Sequence, residues 1–208
     1  MTMTMKPLLL IVCLVIAPNV VSQTESTPKR EVAAEFVALP GDRTEVGFGA
    51  RFTHNLNDNF ALEAAAYFFP CPNCFGTGRI TEAVGGLKAG KRFKTWGIFA
   101  KARPGVVSFS RGRFDVVQTG TPLEFPFAFE SRSLTHFATD LGGVLEFYPS
   151  RRIVTRFDAG NTMIFIRQST QNAFQFDPAT NTFTLLPLRV QGRTSHNFQF
   201  SAGVGFRW

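Results

Sequence analysis

The chain has 208 residues, of which 44% are hydrophobic, ordinary for a globular protein and too few for a bundle of membrane helices. Its formal net charge is +7, but the bases are scattered, which argues against a nucleic-acid surface, and there is no phosphate loop, zinc-protease motif or dinucleotide fingerprint. Phe is the unusual component, 24 residues against 2 Trp and 2 Tyr.

Residues 1–22 read as a signal peptide. Lys6 supplies positive charge, residues 8–17 form an apolar core between Pro7 and Pro18, and Val20-Val21-Ser22 offers a cleavage site. That core is too short to span a bilayer, and no other stretch is long enough. Residues 23–29 are a polar, flexible lead, and residues 30–208 are expected to form one domain.

From residue 30 onward the dominant period is two, which is that of a strand. Strands are expected at 30–38, 44–54, 59–69, 79–91, 96–109, 134–148, 153–165 and 197–208. Pro104 should interrupt the fifth, at a bulge or near the membrane edge. The linkers at 39–43, 55–58, 92–95 and 149–152 are short. Those at 70–78, 110–133 and 166–195 are longer. Within the last, 177–181 is a turn between Phe174/Phe176 and Phe183, a hairpin above the membrane. The final stretch is the cleanest: Phe198, Phe200, Ala202, Val204, Phe206 and Trp208 share one face, and Asn197, Gln199, Ser201, Gly203, Gly205 and Arg207 the other.

An even number of strands, with short turns at one end and, 39–43 excepted, longer loops at the other, predicts an all-β, eight-stranded antiparallel transmembrane β-barrel of up-and-down topology. The polarity of the two faces points the same way. One face of the strands is apolar. The other carries Glu35, Glu45, Arg51, Glu63, Glu82, Lys88, Lys101, Arg103, Asp140, Glu146, Arg156, Asp158 and Arg207. A soluble ligand-binding barrel would carry its charges outside. Eight strands leave an interior filled by side chains, so these charges should pair and plug the lumen rather than line an ion path.

Cys71-Pro-Asn-Cys74 is a CxxC pair in an exported loop. Nothing helical follows it, so it reads as a disulfide bracing the loop rather than a redox dithiol. Two thiolates without a nearby histidine do not make a metal site, and no cofactor is expected. His54, His136 and His196 sit at strand ends, with Ser133 and Ser195 close to two of them. A lipid-modifying enzyme at the barrel rim near His136 or His196 is therefore the alternative to a structural or surface-interaction role.

The exported lead, the eight alternating segments and the closing 200–208 stretch resemble the OmpA-like outer membrane protein β-barrel domain family. Residues 142–152, followed by Arg156-Phe157-Asp158, are similar to that group's last periplasmic hairpin. The resemblance implies a monomer in the cell outer membrane, in contact with its lipids. It further implies that Phe206 and Trp208 are similar to the terminal signal read by the barrel-assembly machinery. An extracellular ligand of the long loops stays open.

Overall fold

The computed structural model describes residues 27–40, 44–70, 78–118, 127–179 and 182–208. The signal peptide and the Cys71–Cys74 pair lie outside them. Ten strands follow in chain order: β1 (Arg30–Leu39), β2 (Glu45–Asn55), β3 (Phe60–Phe69), β4 (Ile80–Arg92), β5 (Trp96–Gln118), β6 (Phe127–Phe147), β7 (Ile153–Ile166), β8 (Ser169–Asp177), β9 (Thr182–Val190) and β10 (Arg193–Arg207). Eight of them close an antiparallel barrel in the order β1-β10-β7-β6-β5-β4-β3-β2. β8 and β9 form a separate two-stranded sheet.

The register shows how the barrel closes. From Gly205 of β10 the ladder crosses Ala33, Arg51, Ala65, Val84, Gly105, Ala138 and Ile164, and returns to β10 at Ser195. The return point is displaced by ten residues, 205 against 195, so the strands are strongly tilted against the barrel axis. At the short-turn end Arg30 and Trp208 exchange backbone hydrogen bonds of 3.0 and 2.9 Å, so the first and last strands seal to their tips. The turns there are set by local side chains. Asn57 Oδ1 accepts from the amides of Asn59 and Phe60, and Ser150 Oγ from those of Arg152 and Ile153.

Three expectations change. Residues 110–118 and 127–133 are strand rather than loop: β5 and β6 continue past the barrel as a tall hairpin, paired out to Gln118↔Phe127, after a register shift between Phe109 and Arg113. Backbone pairing needs no bilayer, so it persists beyond the segment where side chains alternate strictly. Pro104 does not break β5. The strand runs through it, and the β4 ladder skips Gly85 and Gly86 opposite Arg103 and Pro104 without changing register. The last strand begins earlier, at Arg193. The 166–195 segment holds the expected hairpin, paired from Ser169↔Val190 to Asp177↔Thr182 and lying against β5.

The exterior is apolar. Phe36 is 74% exposed, Phe198 64%, Val46 61% and Val204 59%. Through the height of the barrel, outward positions carry no charged residue apart from Arg30 and Lys91 at the short-turn end. Near that end Phe93 stacks on Trp96 with ring centroids 4.3 Å apart, and Phe206 on Trp208 at 6.0 Å. Aromatic rings at this height match the interfacial girdle of a membrane barrel.

Candidate functional site: a charged lumen

The interior is filled in two layers. Toward the long-loop end, Val37, Ala65, Phe69, Ile80, Val84, Val107, Ala138 and Ile164 pack around Tyr67. Gly49 makes room there: a Cβ on it would lie 2.4 Å from both the Ala66 carbonyl oxygen and Tyr67 Cδ1, so this position accepts no side chain.

Below and among these residues lies an ionic network drawn, among the described residues, from β1 to β7. Arg156 is its centre. It donates to both oxygens of Glu63, one at 3.0 Å, and to both oxygens of Asp158 at 2.5 and 2.8 Å, and lies 3.5 Å from Glu146. Lys88 donates to Glu146 at 2.5 Å and lies 3.5 Å from Glu63. Arg103 donates twice to Asp140 Oδ2, at 2.5 and 2.9 Å. Lys101 bridges Asp140 at 2.9 Å and Asp158 at 3.2 Å. Arg51 pairs with Glu35, which also accepts from the Tyr67 hydroxyl at 2.8 Å. In the paired chain, charged groups so deeply buried are held by reciprocal charge and hydrogen bonds, because an unpaired one costs several kcal/mol.

The inward residues foreseen from alternation are thus brought together, with Glu45 at the margin and two exceptions to the expected pairing, Arg207 and Glu82. Glu45 is only half-buried, at the long-loop end. Arg207 meets no carboxylate at ion-pair distance among the described residues. It donates to the Ser150 carbonyl at 2.9 Å and stacks over the Tyr148 ring at 4.3 Å. Glu82 is 2% exposed, yet no base reaches it at that distance. Its Oε1 has no hydrogen-bond partner among the described residues.

Sequence reasoning passed over several members. Arg92 was assigned to a turn, but it reaches inward to Glu31 and Glu146, each at 3.6 Å, and donates to the Tyr148 hydroxyl at 2.9 Å. The parity of β4, which places Ile80, Glu82 and Lys88 inward, extends to Arg92 and was the available signal. Glu31 is fully buried and accepts from Asn55 at 2.9 Å. Its parity with Glu35 would have found it.

The rim histidines do not assemble with the serines. Ser195 and His196 are successive residues of β10 and project from opposite faces, and His196 Nδ1 lies 3.5 Å from Asn161. His136 faces inward, with its ring 6.1 Å from that of Phe109, and His54 lies on the outward face of β2. Among the described residues no group of three or more His, Cys, Asp or Glu is placed to hold a metal.

A closed barrel with ion pairs inside and exposed aromatic and aliphatic residues outside defines a class, the membrane-spanning β-barrel, because that exterior is stable in lipid and not in water. No family model matches the chain, and no curated protein does. Among solved structures it is similar to Neisserial surface protein A, at 11% identity and a TM-score of 0.47, over 86% of this chain and 96% of that one. It is also similar to the attachment invasion locus protein Ail of Yersinia pestis, at 10% identity and a TM-score of 0.45, over 86% and 96%. The N-terminal β-barrel domain of Pseudomonas aeruginosa OprF matches at 11% identity and a TM-score of 0.43, over 86% and 97%.

Proposed function

We propose that this chain is an integral outer-membrane protein with a plugged lumen, whose working surface is its pair of long-loop hairpins, acting in a structural or surface-interaction role. The observation that carries the reading is the network around Arg156, in which charged side chains from opposite walls meet in the middle of the barrel. A conducting pore needs hydrated charges, and these are paired and buried. The tall β5–β6 hairpin and the β8–β9 hairpin then become the parts that extend beyond the bilayer. They stand opposite the end that holds the short turns and Trp208, which is the periplasmic end of such a barrel. The resemblance of the closing strand to OmpA-like barrels supports insertion by the barrel-assembly machinery, with Phe206 and Trp208 as its signal.

Purified protein in a planar lipid bilayer is expected to give no stable current steps. Long-lived steps from the monomer would contradict the plug and would turn Lys88, Lys101 and Arg103 into selectivity groups instead.

A further inference from the structure

The outer wall carries a groove of about 630 Å³ across β1, β10, β7, β6 and β5. The small residues Gly143, Ala159 and Ala202 form its floor, and the exposed rings of Phe36, Phe157 and Phe200 form its sides. Its volume falls within the range of ligand pockets, about 300–1,000 Å³.

Gly143 marks the groove as more than a gap between side chains. A Cβ on its neighbour Gly142 would run into the Ala159 carbonyl oxygen, so that glycine is required by the adjoining strand. A Cβ on Gly143 would meet no atom within 4 Å. Glycine weakens a strand and gives it no side chain to pack. Nothing inside the barrel calls for one here, so the need for space lies outside, with a molecule held close against the wall.

The second observation is charge. Lys91 of β4 is the cross-strand partner of Ile98, which lines the groove. From there one outward row follows the ladder through Leu145, Phe157 and Ala202 to Phe36. Lys91 is next to last in β4, whereas Phe36 lies six residues beyond the start of β1. The tilt of the strands thus carries the row from the short-turn interface up into the apolar band. Lys91 is exposed and meets no carboxylate at ion-pair distance among the described residues; its ammonium lies 5.5 Å from the Phe93 ring centroid. Lys94 is exposed in the adjoining turn. An apolar path therefore begins at a cation, on a wall whose only other outward charge is Arg30 among the described residues.

We propose that this groove holds one anionic diacyl phospholipid of the short-turn leaflet. One acyl chain lies over Gly143 and Ala159 between the Phe157 and Phe200 rings. The headgroup phosphate meets Lys91 beside the stacked Phe93 and Trp96. An apolar lining by itself names no occupant; the lysine at its foot selects an amphiphile with a negative head.

The test uses the folded full-length barrel in detergent, titrated with phosphatidylglycerol or with phosphatidylcholine of the same acyl chains, and read by native mass spectrometry. Phosphatidylglycerol should saturate at one retained lipid per barrel, at a concentration about fivefold lower than phosphatidylcholine, the effect of roughly one lysine beside an anionic headgroup. Lys91→Gln should remove most of that preference. Gly143→Leu, whose added side chain starts in open space, should leave the barrel intact and weaken both lipids several-fold by filling the groove. Strand content by circular dichroism reports whether each variant is folded. If either variant fails to fold, the comparison of the two lipids on the unaltered protein still decides. Equal retention of the two lipids, adducts that rise without saturating at one, or a barrel dimer in place of the lipid adduct would overturn the proposal. So would an unchanged preference in folded Lys91→Gln or undiminished retention in folded Gly143→Leu. None of these outcomes depends on whether the lumen conducts ions.

Discussion

Arg156→Met is expected to destabilise the folded barrel by about 3–5 kcal/mol, the cost of stranding buried charge when one partner of a buried ion pair is removed. Arg156 serves three carboxylates. It forks onto Glu63 and Asp158 and approaches Glu146 at 3.5 Å. Methionine fills much of the same volume, so packing is largely preserved and the electrostatic loss dominates. Arg156→Lys keeps the charge but cannot make two bidentate contacts, so it should fall between the two. Lys88 and Lys101 still compensate Glu63, Glu146 and Asp158 in part, which places the expected effect within this range rather than beyond it. Urea unfolding in lipid vesicles, followed through Trp96 and Trp208 fluorescence, measures the difference. A loss below about 1 kcal/mol would mean that water already solvates these carboxylates, as at an exposed pair.

Ala202→Arg is expected to cost about 2–4 kcal/mol, the penalty for an arginine facing lipid near the bilayer midplane. Ala202 is exposed on the outer wall, midway between Phe198 and Phe206, which mark the two ends of the apolar band on β10. An alanine there contributes little packing, so almost the whole effect is that of charge in hydrocarbon. The same substitution at Phe206, beside Trp208, should cost less charge penalty because the side chain can reach the headgroups. The same unfolding assay reports both. Equal tolerance of Arg at 202 and in the short turn at Ser150 would argue that no bilayer touches this wall.

Much of this was legible because a strand's period of two writes two environments side by side. In β10 every second residue from Phe198 to Phe206 is apolar or small, and in β3 Glu63 and Tyr67 fall on the face opposite Leu62 and Phe68. Membership of the lumen follows from parity alone, and so it was recovered even for β4, whose pattern is the weakest. Pairing was not legible. Arg156 and Glu63 are separated by 93 positions and meet only because the ten-residue stagger of the barrel brings opposite walls to one height. Parity also does not mark where a lumen ends, so Arg92 was lost to a turn. The tall hairpin was missed for a related reason: beyond Phe109 a register shift breaks the alternation while the backbone ladder goes on. Glu82 illustrates the deepest limit, since its sequence context resembles that of Glu63, and only the three-dimensional neighbours leave its Oε1 without a hydrogen-bond partner among the described residues.

The most direct test of a lipid-facing barrel is a nitroxide scan of positions 198–206 in vesicles, one cysteine at a time, with the native cysteines replaced by serine. Labels at 198, 200, 202, 204 and 206 should collide freely with dissolved oxygen and rarely with a water-soluble nickel chelate. Labels at 199, 201, 203 and 205 should be shielded from both, because those positions face the filled lumen. A scan in which the chelate reaches positions 200–204 from the outer face, or in which the period of two is absent, would contradict the membrane-spanning barrel itself.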